Sequence, residues 1–105
     1  MKNFIFITCS APTQSLAQKI SKALVKEKLA ACVNISSPIQ STYSWKGKIC
    51  SEKEFLLFIK TKKSLFKKIE KRIKQLHSYE CPEIIALPIV QGSEDYLDWI
   101  TTQTL

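Results

Sequence analysis

The only histidine of the chain lies in a polar stretch whose residue types suit metal binding or nucleophilic catalysis. This stretch, residues 77–83, reads His-Ser-Tyr-Glu-Cys-Pro-Glu, and a strongly apolar run follows it directly. A thiolate and a neutral imidazole together suit Cu(I), Cu(II) and Zn(II). The same pair can act as nucleophile and base when a carboxylate orients the imidazole.

The predicted order of elements brings Cys9 close to His77. Cys9 ends the first predicted strand, and His77 begins the loop before the last one. We expect these strands to be adjacent and antiparallel, so the start of the last lies beside the end of the first. In one interpretation Cys9 and His77 are metal ligands, with further candidate groups nearby: Glu80, Cys81 and Glu83. In the other, both cysteines are small buried residues and His77 is a loop residue with satisfied hydrogen bonds.

Nucleophilic catalysis would need a cysteine near one ring nitrogen of His77 and a carboxylate near the other. The candidates are Cys9 or Cys81 as the nucleophile and Glu80 or Glu83 as the orienting group. Nothing in the sequence indicates an oxyanion hole, and two glycines in the whole chain exclude a glycine-rich phosphate loop. An enzyme is therefore the function class we expect least.

The chain carries a formal net charge of +7, and half of its basic residues lie in one segment. Eight of the sixteen lysines and arginines fall between Lys60 and Lys74, with Glu70 as the only acid among them. We favour the interpretation that this segment is the solvated face of a helix. The alternative is a surface for anions or nucleic acid.

Composition and patterning predict a single cytoplasmic domain over residues 1–105. The apolar run at residues 4–7 is too short for a signal-peptide core. No apolar run approaches the roughly 20 residues that span a bilayer, so we expect no membrane partner. The four cysteines show no CxxC spacing, and we expect them to be reduced thiols.

The pattern of apolar residues and turn signals predicts four strands and three helices. The predicted strands are Asn3 to Cys9, Ala31 to Trp45 with a bulge or edge at Pro38, Lys48 to Lys60, and Glu83 to Val90, with a tight turn at Lys46-Gly47. The predicted helices are Pro12 to about Lys28, Ser64 to Leu76 with Ser64 as N-cap, and a short one that starts near Gly92 with Ser93 as N-cap.

The order β-α-β-β-α-β plus a terminal helix is typical of a ferredoxin-like α+β sandwich. Residues 84–87 lack alternation, so we expect the last strand to be covered on both faces. The hairpin between the second and third strands is longer than two helices can cover. Its exposed edges and the aromatic residues Tyr43 and Trp45 indicate an interface in a closed symmetric assembly.

RNA-recognition domains share this order of elements and stack bases on aromatic residues of the sheet. Here Phe55 and Phe58 are three positions apart and therefore face opposite sides. Phe4 and Phe6 share a face, which we expect to lie under the helices. Nucleic acid is therefore not expected as a partner.

Seven short segments, spread over nearly the whole chain in a characteristic order and spacing, resemble the CutA family of divalent-cation tolerance proteins. The segments are residues 8–12 (Thr-Cys-Ser-Ala-Pro), 29–34 (Leu-Ala-Ala-Cys-Val-Asn), 43–49 (Tyr-Ser-Trp-Lys-Gly-Lys-Ile), 59–61 (Ile-Lys-Thr), 77–79 (His-Ser-Tyr), 82–89 (Pro-Glu-Ile-Ile-Ala-Leu-Pro-Ile) and 96–99 (Tyr-Leu-Asp-Trp). The resemblance implies a ferredoxin-like trimer similar to PII signalling proteins, closed by pairing of the long hairpins, and a role in tolerance of copper and other divalent cations.

The resemblance also implies metal ligands. In bacterial members copper binding is attributed to a cysteine after the first strand and a pair of histidines before the last core strand. Cys9 matches the cysteine and His77 the second histidine. Leu76 stands where the first histidine would be, and Ser78 replaces the usual proline.

We therefore predict a homotrimer that binds Cu(II) or another divalent metal at Cys9 and His77, without turnover and without an organic cofactor. The alternative is a PII-like signalling or scaffolding trimer that binds a small molecule in clefts between subunits. In that case the basic helix and the loop from Tyr79 to Glu83 would line the clefts.

Overall fold

The fold is an antiparallel sheet with helices packed against it, described here for residues 3–105 by a computed structural model. Met1 and Lys2, the start of the predicted domain, lie outside the described residues. The strands are β1 (Phe4–Ala11), β2 (Cys32–Ile35), β3 (Ile39–Trp45), β4 (Lys48–Lys62) and β5 (Ile85–Pro88). The helices are α1 (Gln14–Lys26), α2 (Phe66–Leu76) and α3 (Glu94–Gln103), with a short 3-10 turn (Lys63–Leu65) before α2.

The strand order is β2-β4-β1-β5, and β3 pairs with the part of β4 that extends beyond this sheet. Helices α1 and α2 pack on one face, as the ferredoxin-like prediction requires. Strand β4 pairs with β3 from Lys48 to Glu54 and with β1 only from Phe55 onward. Residues 39–54 therefore form a two-stranded extension, which we call the ribbon.

The turn of the ribbon is the predicted one at Lys46-Gly47. Both residues have positive φ, 50° and 79°. Two successive left-handed residues are the geometry of the two-residue hairpin turn whose twist matches that of the flanking strands. Glycine adopts this conformation without steric cost, which fixes the register of the long arms.

The predicted strand from Ala31 to Trp45 is interrupted where Pro38 indicated a bulge. Ile35 pairs with Leu57 and Ile39 pairs with Glu54, so four steps along one strand oppose three along the other. One extra residue is the definition of a bulge. It bends the chain where the sheet ends and the ribbon begins.

The N-cap prediction is confirmed for α3 and wrong for α2. The Ser93 hydroxyl accepts a hydrogen bond from the backbone N–H of Tyr96 at 3.3 Å. Ser64 lies within the 3-10 turn, so α2 begins at Phe66 with Leu65 at the capping position and no side-chain cap.

The core lies between the sheet and the helices α1 and α2. On β1 the buried side chains are Ile5, Ile7, Cys9 and Ala11. The prediction that Phe4 and Phe6 lie under the helices is therefore wrong for α1 and α2. Phe6 instead stacks on a ring of β4, Phe58, on the opposite face, with centroids 5.4 Å apart. Residues 4–7 are apolar on both faces of β1, so hydrophobicity there did not decide between them; Thr8 and Ser10, which follow on the Phe6 face, are the only polar side chains of the strand.

Strand β5 is not covered on both faces, contrary to the prediction. All four of its residues are exposed, with Ile85 at 54% and Leu87 at 47%. It pairs with β1 along one side only and forms an edge of the sheet. None of the helices in residues 3–105 is long and apolar enough to cross a lipid bilayer.

Candidate functional site

The loop after α2 is attached to the end of β1 through His77. Its ring Nε2 lies 2.7 Å from the backbone carbonyl oxygen of Ser10, and its Nδ1 accepts a hydrogen bond from the backbone N–H of Tyr79 at 3.0 Å. A carbonyl can only accept and a backbone N–H can only donate. The imidazole proton is therefore on Nε2, and both ring nitrogens are engaged.

Two further hydrogen bonds fix the rest of this loop. The Tyr79 hydroxyl donates to Glu54 Oε2 at 2.7 Å, and the Thr8 hydroxyl donates to Glu83 Oε2 at 2.7 Å. Glu54 is the last residue of β4 that pairs with β3, and its side chain is 7% exposed. Burial, together with the adjacent carboxylate, raises the pKa of Tyr79. The loop is thus held between the base of the ribbon and β1.

Cys9 lies in the core rather than at a surface. Its side chain is fully buried, and its Sγ points toward the carbonyl oxygen of Ser10 at 3.8 Å. Burial, with a smaller contribution from the negative charge of Glu83, raises the pKa of the Cys9 thiol to about 12. The thiol is therefore protonated near neutral pH.

The structure brings Cys9 and His77 to the same end of the sheet, as predicted, but not as a preformed metal site. A metal ligand or a nucleophile must be a thiolate, which burial disfavours at Cys9. Among residues 3–105, no three histidine, cysteine, aspartate or glutamate side chains are grouped so that they could hold one ion. Burial of Cys9 and the two hydrogen bonds of His77 agree with the second interpretation, whereas Cys81 is exposed.

A cavity of about 350 Å³ lies between this loop and the ribbon. Three carboxylate side chains line it: Glu54, Glu80 and Glu83. The serine and cysteine residues that complete the polar lining are Ser10, Ser78 and Cys81. The cavity is thus acidic, although the whole chain is basic.

Aromatic side chains form the remaining walls of the cavity: Tyr43, Trp45 and Tyr79. The Tyr43 hydroxyl donates to Glu52 Oε1 at 2.8 Å, and this bond raises the pKa of Tyr43 to about 12. The ring of Tyr79 lies against that of His77, with centroids 4.7 Å apart. Hydrogen bonds and ring contacts therefore hold two of the three walls in place.

Sequence reasoning missed Glu54 as a candidate site residue. Simple alternation along β4 places it on the face opposite the buried Leu57 and Ile59, yet it is buried too. The extra residue opposite this part of β4 marks the point where the ribbon leaves the sheet. The only signal for this change in the sequence was Pro38.

The basic segment does not line this cavity, which lies within one chain, whereas the predicted clefts lie between subunits. Within α2, Glu70 lies 3.7 Å from Lys67 and 3.5 Å from Lys74. Arg72 pairs at 2.9 Å with Glu27, the residue that follows α1. These contacts are those of a solvated helix face whose charge is partly balanced.

Comparison with known proteins identifies the family. The family model described as CutA1 divalent ion tolerance protein matches residues 5–103. The chain belongs to the CutA family. A divalent-cation tolerance protein CutA from Thermus thermophilus is 45% identical over 104 residues, which cover 99% of each chain.

The chain is also similar to a solved CutA structure and to a plant CutA protein. The solved structure of the periplasmic divalent cation tolerance protein CutA from Archaeoglobus fulgidus has a TM-score of 0.93 at 42% identity, covering 95% of this chain and 97% of that one. The chloroplastic CutA of Arabidopsis thaliana is 43% identical over 100 residues. Those residues are 95% of this chain but 55% of the plant protein.

In the variant Cys9→Ala, the free energy of unfolding is expected to fall less steeply with rising alkaline pH than it does in the wild type. The folded state keeps the thiol proton up to about pH 12, whereas a thiol of ordinary pKa loses it near 9.0. The group therefore contributes stability that is fully present below the lower value and is lost as the pH rises toward the higher one. The slope from this group is at most about 1.4 kcal/mol per pH unit.

Urea unfolding at a series of alkaline pH values measures this slope. The matched control is Cys32→Ala, which removes a half-buried thiol of β2 and should keep the wild-type slope. Equal slopes for wild type and Cys9→Ala would show that Cys9 does not hold its proton in the folded state.

Proposed function

We propose that this protein acts in divalent-cation tolerance by binding the cations, copper(II) among them, without catalytic turnover, and that it does so in the cytoplasm. The observation that carries this proposal is the match of residues 5–103 to the CutA1 family model. Relatives of similar length, including the one from Thermus thermophilus, are named divalent-cation tolerance proteins. A thiol, Cys9, and an imidazole, His77, both lie beside the carbonyl oxygen of Ser10 at one end of the sheet.

Cys9 and His77 are the proposed metal ligands, and each must change before it can bind a metal ion. His77 must release one of its two ring hydrogen bonds, to Ser10 or to Tyr79, before that nitrogen can face a metal. Cys9 must lose a proton that burial stabilises. In the described conformation the two residues do not fit a bound metal, so the test must separate this pair from the other thiols.

Copper binding is expected to decrease in the variants His77→Ala and Cys9→Ala, and to decrease most in the double variant. Loss of a ligand commonly weakens metal affinity by well over tenfold, as even outer-shell changes cost about 10–100-fold. Equilibrium dialysis against Cu(II) measures uptake per chain. Cys32→Ala is the control because its thiol belongs to β2, an edge strand that β4 separates from the β1 strand of Cys9. Equal uptake by wild type and double variant would remove both residues from the site.

We further propose that the chain forms a homotrimer through the ribbon. Within residues 3–105, β3 pairs only with β4, and β5 pairs only with β1, so each has one free edge. Large apolar side chains are exposed next to these edges, including Trp45 and Ile49 on the ribbon and Ile85 and Leu87 on β5. Two different free edges on one chain allow head-to-tail pairing that closes into a ring. The number three is the one that the CutA resemblance implies.

Sedimentation equilibrium is expected to give three times the chain mass of 12.0 kDa. The variant Ile49→Lys, which places a charge on the 77% exposed side chain near the ribbon tip, should lower that mass. The control Val25→Lys changes an exposed residue of α1 and should leave the mass unchanged. A wild-type protein that sediments as one folded chain at micromolar concentration would contradict the proposed assembly.

A second candidate function is a PII-like signalling or scaffolding trimer that recognises a small molecule. The observation that favours it is the cavity between the ribbon and the loop after α2. Its volume falls within the roughly 300–1,000 Å³ of ordinary ligand sites. The chemistry of its lining determines which class of molecule it suits.

A further inference from the structure

The cavity beside the ribbon has an unusual charge for this protein. Three of its lining residues are glutamates, and none is a lysine or arginine. The chain as a whole carries sixteen basic and nine acidic residues. Nucleotides and carboxylates would therefore meet like charges in the cavity, whereas a cation would not.

Glu54 is the carboxylate least accessible to water. Its side chain is 7% exposed, yet it contributes to the cavity wall. Oε2 accepts the hydrogen bond from Tyr79, while Oε1 receives none from the described residues. A buried carboxylate interacts with a charge more strongly than one in water does, because the local dielectric constant is lower. The free oxygen is thus the strongest position in the cavity for a cationic donor.

The aromatic walls select among cations. Tyr43, Trp45 and Tyr79 surround the same space as the glutamates. Ammonium groups are attracted to aromatic faces within about 6 Å of the ring centre. The chain already shows this contact, because the ammonium of Lys46 lies 5.8 Å from the centroid of the Trp45 ring.

The geometry does not suit a bare divalent ion. Such ions need several oxygen, nitrogen or sulfur ligands at about 2.0–2.6 Å. Within residues 3–105 no group of three suitable side chains could hold an ion. The volume of about 350 Å³ is also far larger than one ion. A molecule with a carbon chain can reach separated carboxylates that an ion cannot bridge.

We propose that this cavity is a binding site for a small aliphatic diamine, with one ammonium group on the buried Glu54 and the second on a rim carboxylate, Glu80 or Glu83. The aromatic rings contact the chain and the ammonium groups. The lining residues all belong to one chain, and they do not include the proposed metal ligands Cys9 and His77, although their neighbours Ser10 and Ser78 are among them. The proposed diamine contacts use neither Cys9 nor His77, so their test does not depend on copper binding at those two residues.

Isothermal titration calorimetry of the full chain in its native assembly, at low ionic strength, tests this proposal. The probe is 1,4-diaminobutane. The comparison compounds are 1,4-butanediol, which has the same length without charge, and succinate, which has two negative charges. We expect saturable binding of one diamine per chain and no measurable binding of the diol or succinate. The proposal would be overturned if no binding is detected at diamine concentrations up to roughly 10 mM. That result would mean a binding free energy weaker than about 3 kcal/mol.

Matched variants locate the binding. Glu54→Gln removes the charge but keeps an oxygen that can accept from Tyr79, and it should weaken diamine binding at least about tenfold. Glu70→Gln removes a carboxylate that pairs with Lys67 and Lys74 on α2, away from the cavity, and should leave binding unchanged. Unchanged binding in folded Glu54→Gln would overturn the proposed site.

Two further measurements keep the test decisive. If Glu54→Gln does not fold, the exposed rim variant Glu80→Gln should still fold and bind the diamine several-fold more weakly. If Glu80→Gln and Glu83→Gln both bind the diamine as tightly as the wild type does, the proposed contact between the second ammonium group and a rim carboxylate is wrong. Titration with MgCl₂ or ZnCl₂ alone addresses the inorganic alternative. If those salts give a heat of binding that is lost in Glu54→Gln, and the diamine gives none, the cavity binds metal ions and the diamine proposal is overturned.

Discussion

Two strands of this chain extend beyond the sheet that the chain itself builds, and the assembly proposed above follows from them. Within residues 3–105, the two strands of the ribbon pair only with each other, so each has backbone groups along one side without a strand partner. An isolated two-stranded hairpin is at best marginally stable in water. A ring of copies stabilises such a hairpin, because each free edge can pair with a neighbouring chain.

The base of the ribbon is also where the candidate site is built. Glu54 belongs to the ribbon, Tyr79 to the loop after α2, and the hydrogen bond between them joins the two. The same loop is attached to β1 through His77 and Glu83. A ligand that binds the cavity therefore contacts the element proposed to hold the trimer together. Binding and assembly are then linked, and each changes the free energy of the other.

The sequence predicted the elements whose signals are local and missed the features that depend on how strands face one another. The turn at Gly47 and the cap at Ser93 each follow from the conformation or hydrogen bond of one residue. Residues 4–7 of β1 are apolar on both faces, so this run did not show that Ile7 rather than Phe6 faces α1 and α2. Burial of Glu54 depends on the bulge opposite β4, and the cavity needs three separate segments.

Hydrogen exchange of the ribbon amides tests the central claim most directly. In an antiparallel pair, only alternate residues direct their N–H groups at the partner strand. The other half of the amides in β3 and in the first half of β4 point away. Pairing between copies predicts slow exchange for nearly all of them in concentrated protein, and faster exchange of the outward half on dilution. Fast exchange of the outward amides at every concentration would contradict the claim that neighbouring chains complete the ribbon.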